Sequence, residues 1–150
     1  MIYSSEIWYG ISSDQFTRLE QIDEMYLRNI FEAPKSAPRL GLYIESGKIP
    51  LRYIIKARRL LYYWHILHQN ENELLYKFFQ AQKLKPTKND WVREVNKNLQ
   101  EWGINVSEID LKKISNEKLK KVIDDRMKLS VREDFRKIQE KKGMNLKQVG

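Results

Sequence analysis

The chain has 150 residues, no cysteine, and 28 Lys and Arg against 20 Asp and Glu, leaving a formal net charge of +8 and a pI near 9.6. That length suits one domain with a working core, and the missing cysteines exclude disulfides and the usual zinc-finger chemistry. The excess of cations points to a polyanionic partner, either nucleic acid or an anionic membrane surface.

The first ten residues, MIYSSEIWYG, lack the basic start and long apolar run of a secretory signal. No stretch approaches the roughly twenty uninterrupted apolar residues of a membrane span. The expectation is a soluble, intracellular protein, nuclear or cytoplasmic, and membrane-surface binding is set aside because the helix over residues 49–68 has aromatics all round instead of one polar and one apolar side. The chain's charge is unevenly spread. Residues 1–47 carry four basic and seven acidic side chains, residues 48–100 eleven and four, and residues 104–150 thirteen and eight.

Nearly every segment reads as helix. Ser12 and Gln15 form a capping-box pattern, followed by Phe16, Leu19, Ile22, Tyr26 and Ile30 at helical spacing, which predicts one apolar stripe ending before Pro34. Ala37-Pro38 opens a shorter helix through Leu40, Leu42, Tyr43 and Ile44, with Gly47 as its C-terminal cap. Pro50 suits the first turn of a long helix, IPLRYIIKARRLLYYWHILH, over residues 49–68. Another helix starts at Asn70 or Glu71, with Leu74, Leu75, Phe78 and Phe79 apolar. Pro86-Thr87 breaks the chain. Asn89 or Asp90 caps a helix whose Trp91, Val95, Leu99 and Trp102 share a face, and Gly103 ends it. A short connector follows, and Ser115-Asn116-Glu117 starts a densely charged helix that Gly143 is expected to terminate. The chain is therefore expected to be all-α, a compact multi-helix bundle with a long charged C-terminal helix. Residues 1–103 read as the helical core domain, and 104–150 as connector and basic helix.

The long central helix carries an unusual combination. On a 3.6-residue period Arg52, Lys56, Arg59 and Tyr63 fall in one narrow sector, while Leu51, Ile54, Ile55, Leu61 and Trp64 occupy others. A row of cations ending in an aromatic ring can track phosphates and stack a base or sugar, and an Arg fork holds phosphate through two hydrogen bonds. The competing reading is a solvated face, or one paired with Glu20, Asp23, Glu24 and Glu45 of the acidic N-terminal segment. Arg58 reads as a structural ion-pair partner. Lys83, Lys85 and Lys88 flank Pro86 ahead of Trp91, an indole expected in the core for its area. Lys112, Lys113, Lys118, Lys120 and Lys121 form a third basic group, either a backbone-binding or a solubilising surface. The candidate nucleic-acid contacts are Arg52, Lys56, Arg59, Tyr63, Lys83, Lys85, Lys88, Lys112, Lys113, Lys120 and Lys121.

Catalytic signatures are lacking. Asp124-Asp125 has the look of paired metal-binding carboxylates, but lies in a charged helical run with no third carboxylate placed beside it. His65 and His68 fall short of a metal-ligand set. No Ser, His and carboxylate spacing marks a nucleophile, so neither enzymatic activity nor a cofactor is expected.

The stretch LEQIDEMYLRNIFEAPKSAPRLGLYIESGKIPLRYIIKARRLLYYWHIL resembles the region downstream of the polymerase core in non-LTR retrotransposon proteins, particularly those with a C-terminal restriction-like endonuclease. ENELLYKFFQAQKLKPTKNDWVREVNKNLQEWGI and the Lys-rich helix after it continue the likeness, which is densest from about Ser5 to Ile104. In that family the catalytic aspartates precede this region, and a Cys/His zinc motif and the nuclease follow it; no position here matches them. The resemblance implies a thumb-adjacent connector of a reverse transcriptase polyprotein, holding template RNA, an RNA–DNA hybrid or target DNA during target-primed reverse transcription. The other roles it leaves open are a scaffold docking polymerase and nuclease modules, and a non-functional remnant of the element.

Overall fold

In the computed structural model, which describes residues 4–88 and 90–149 with side chains through Gly143, all regular elements are helical. A 3-10 turn, Ser5–Ile7, precedes α1 (Ser13–Ile30), α2 (Arg39–Ser46), α3 (Leu51–Leu67), α4 (Leu74–Leu84), α5 (Trp91–Glu101), α6 (Glu108–Lys113) and α7 (Asn116–Val149). Among these helices none is long and apolar enough to cross a membrane.

Local chemistry sets most boundaries. Ser12 Oγ accepts from Gln15 N–H at 3.2 Å while Gln15 Oε1 accepts from Ser12 N–H at 2.8 Å, closing the capping box on α1. Gly47 ends α2 with φ +64° and Gly103 follows α5 with φ +63°, the left-handed region that favours glycine. Asp90 caps α5 by accepting from Arg93 N–H at 2.8 Å; its alternative, Asn89, lies outside the described residues. α4 starts at Leu74, later than expected, because Asn70 turns the chain first. Its side-chain oxygen accepts from Asn72 N–H at 3.1 Å, and its carbonyl from Glu73 N–H at 2.9 Å. α7 continues past Gly143 to Val149. A mid-helix glycine costs about 1 kcal/mol relative to Ala but need not break the helix.

α3 is the hub, touching α1, α4, α5, α6, α7 and the N-terminal turn. Its Tyr53, Leu60, Tyr63, Ile66 and Leu67 pack with Phe79, Trp91, Val92, Val95 and Trp102, and with Leu111, Leu119, Ile123 and Val131, so the main core draws on residues from both sides of Gly103. Ile55 and Val95 are fully buried, each worth about 1.5–3 kcal/mol over exposure. Leu27, Leu42 and Tyr43 form a small second cluster between α1 and α2, and Phe135 of α7 packs against both clusters.

α1 turns a different face inward from the one its apolar spacing predicts. Phe16 and Leu19 are half-buried, but Ile22, Tyr26 and Ile30 are 49%, 61% and 55% exposed, while Glu20 and Leu27 are buried. That inward face carries Glu20, Asp23 and Glu24, which meet the cations of α2, α3 and the loop between them, alongside Leu27.

Candidate nucleic-acid interface

The sector shared by Arg52, Lys56, Arg59 and Tyr63 is real, but it faces protein. Arg52 forks onto Glu20, with Nε to Oε1 and Nη2 to Oε2 both at 2.8 Å, and Arg39 reaches the same carboxylate at 2.7 Å. The hydrogen bond to Glu20 raises Arg52 further above the ordinary guanidinium value. Arg39 and Arg28 also clamp Glu24, at 3.3 and 2.7 Å, and Lys48 pairs with Asp23. Lys56 bonds Glu101 of α5 at 2.7 Å.

Arg59 is 2% exposed. It donates to Asn98 Oδ1 at 2.6 Å and to the Trp8 carbonyl at 2.7 Å, with Glu94 at 3.7 Å. Burial lowers its proton affinity, and Glu94 and Glu101 oppose that loss. Tyr63 is buried against Phe79 and Trp91, with ring centroids 5.5 and 6.4 Å away. Burial, with Glu108 adding to it, pushes its hydroxyl well above the usual phenol range. The expectation that this stripe presents itself to a phosphate backbone is therefore corrected. Two members are interior, and the other two are matched by carboxylates on α1 and α5.

The remaining candidates lie elsewhere. Lys83 is exposed but pairs with Glu108 of α6 at 2.6 Å, and its ammonium sits 5.5 Å from the Phe79 ring centroid. The ammonium of Lys112 sits 5.8 Å from the ring centroid of Tyr76. The Lys83–Glu108 pair links the end of α4 to the start of α6, and the Lys112–Tyr76 contact links the start of α4 to the end of α6. Lys85 and Lys88, in the loop after α4, mark one end of this α4–α6 edge. Lys112 and Lys113 mark the other, and Lys120 and Lys121 continue from it along α7. All six are exposed, and none is within ion-pair distance of a carboxylate among the described residues.

Residues 112–121 carry five lysines against one glutamate. The corner where they sit is fixed from below. Leu111, Leu119 and Ile123 are buried, Ile114 accepts at its carbonyl from Trp64 Nε1 at 3.0 Å, and His68 Nε2 lies 3.0 Å from the Lys112 carbonyl. Asp124 is taken by Lys128 at 2.7 Å. Among the described residues no cluster of His and acidic side chains could hold a metal ion. Trp91 is a core residue whose indole N–H donates to the Glu6 carbonyl at 2.8 Å.

Two features had only a faint signature in the sequence. Glu20 anchors three helices from a position that reads as surface. Phe78 and Leu74 are 61% and 69% exposed beside half-buried Leu75 and buried Phe79. Four apolar residues over two adjacent pairs exceed what one helix face can bury, and that surplus was the available signal. No family model, curated protein or solved structure matches the chain.

Proposed function

We propose that the chain is a non-catalytic nucleic-acid-binding module whose contact surface is the α4–α6 edge and the α6–α7 corner. This fits the connector role implied by its resemblance to non-LTR retrotransposon proteins. The observation that carries the reading is the exposed set Lys85, Lys88, Lys112, Lys113, Lys120 and Lys121, unpaired with carboxylates among the described residues, the last four on α6 and α7. Lys112, Lys113, Lys120 and Lys121, carried on helices, meet phosphates without first ordering a loop, and each phosphate neutralised releases counterions.

Fluorescence-anisotropy titration against single-stranded RNA, duplex DNA and an RNA–DNA hybrid, at two salt concentrations, tests it. Replacing Lys112, Lys113, Lys120 and Lys121 by Gln should flatten the log–log salt slope by about 3 and leave the thermal midpoint in place. Unchanged binding by that variant would remove the proposal.

One observation favours a second reading, a scaffold that docks the polymerase or nuclease module of a parent polyprotein. Ile22, Met25, Tyr26 and Ile30 on one side of α1, with Phe31 after it, are all at least 46% exposed. A contiguous apolar surface of this kind is a usual mark of protein contact. Replacing Met25 and Tyr26 by Ser would abolish such docking and leave nucleic-acid affinity unchanged.

A further inference from the structure

The N-terminal turn, α3, α4 and the start of α5 enclose a cleft of about 260 Å³ whose walls include Tyr9, Tyr62, Phe78, Phe79, Gln82 and Trp91. Tyr9 is 53% and Phe78 61% exposed, while Phe79 and Trp91 are buried behind them. The wall is held in place. Trp91 Nε1 donates to the Glu6 carbonyl at 2.8 Å and Arg59 Nη2 to the Trp8 carbonyl at 2.7 Å, so the backbone on either side of Ile7 is tied to the core. Tyr62 meets Trp91 edge to face, with centroids 5.9 Å apart and planes at 85°. Gln82 accepts from Val92 N–H at 3.3 Å through its side-chain oxygen.

The loop between α4, which carries the lining residue Gln82, and Trp91 at the start of α5 bears exposed Lys85 and Lys88. Its one carboxylate, Asp90, is buried and occupied by Arg93 N–H, Thr87 N–H and the Thr87 hydroxyl, at 2.8, 2.6 and 3.3 Å. Two exposed lysines thus follow the cleft residue Gln82 by three and six positions, and the cleft itself is lined largely by aromatic rings. That pairing matches an unstacked base attached to a phosphate backbone, because aromatic faces stack any base while the cations hold its phosphates. A duplex keeps its bases stacked and paired, so it can use the cations but not the rings.

We infer that this cleft receives an unpaired base, making single-stranded nucleic acid the class of strand this protein holds. The inference rests on the reading of the lysine-bearing edge as a nucleic-acid surface. Its test uses the full chain with a single-stranded oligouridylate and a duplex of equal length. Tyr9→Ala with Phe78→Ala removes exposed rings only and should weaken single-strand binding by about fivefold to a hundredfold, with duplex binding and the melting midpoint unchanged. Phe78→Trp, which keeps a stacking face, should retain single-strand affinity. Lys85→Gln with Lys88→Gln should weaken both ligands and lower both salt slopes. Equal losses on the two ligands in the double-Ala variant, or no loss on either, would overturn the cleft assignment while leaving the lysine surface standing. If the unmodified chain binds neither ligand at low salt, the nucleic-acid reading itself fails and the cleft assignment falls with it.

Discussion

α3 and the α6–α7 corner carry comparable numbers of cations, yet the fold uses them in opposite ways. Along α3, Arg52, Lys56 and Arg59 each meet a specific acceptor on another helix, and Arg59 is as inaccessible as a core leucine. At the corner, Lys112, Lys113, Lys120 and Lys121 point outward, above a floor of Leu111, Leu119 and Ile123. A helical wheel reports which residues share a face. It says nothing about what stands opposite, and for a cation that decides between structural and external duty. The carboxylates that consume the α3 cations come from α1 and α5, some 30 to 45 residues away in sequence.

Three substitutions on α3 and one at the cap of α5 test the structural side of that contrast. Arg59→Ala should have the largest effect. It strips a buried guanidinium from Asn98 and the Trp8 carbonyl and leaves a cavity, at a cost of about 3 kcal/mol or more. In a thermal melt, the midpoint should then fall by roughly 10 °C; a midpoint within about 2 °C of wild type would show that Arg59 is not structural. Arg52→Gln should follow at about 1–2 kcal/mol, since Glu20 retains Arg39. Urea denaturation would show this as a lower midpoint with an unchanged m-value. Asp90→Ala should cost about 1 kcal/mol through loss of the α5 cap.

Asp90 also carries a pH signature. Burial pushes its carboxyl up, but hydrogen bonds from Arg93 N–H, Thr87 N–H and the Thr87 hydroxyl outweigh this and hold it below the ordinary value of 3.8. Its contribution to stability is therefore complete above that value and lost as pH falls through the lower folded one. Stability measured from pH 6 down to about pH 2 should decline less steeply in the Ala variant than in wild type. The smallest effect belongs to Lys56→Gln, whose half-exposed pair with Glu101 is worth no more than about 0.5–1 kcal/mol. If the lysines of the corner proved as costly to replace as Arg52, the contrast between the regions would collapse.

Signals that act over a few residues were legible. Ser12 with Gln15, Gly47, Asp90 and Gly103 all mark helix ends that the structure keeps, because capping depends on neighbours within one turn. The all-helical class followed from spacing, and the burial of Trp91 from the area of its indole. The inward face of α1 was not legible, because it depends on Arg39, Lys48 and Arg52 arriving from later helices. Periodicity ranked Ile22 and Tyr26 above Glu20 as interior residues. In the structure Glu20 is buried and paired, while Ile22 and Tyr26 are exposed. The same blindness placed Arg59 and Tyr63 on a ligand-facing stripe, when the space around them is filled by α5 and by Phe79.

The small cluster of Leu27, Leu42 and Tyr43 has a consequence for how the molecule opens. With three buried side chains to hold them, α1 and α2 depend heavily on the carboxylate clamps, whose cations Arg39, Lys48 and Arg52 are each about one-third exposed. Partly exposed pairs are weakened by added electrolyte, whereas hydrophobic contacts are not. Amide hydrogen exchange should therefore resolve two cooperative units. α1 and α2 should lose protection as ionic strength rises, while the amides of α3 keep the protection of global unfolding. Phe135, lodged between both clusters, is the residue at which the first unit would part from the second.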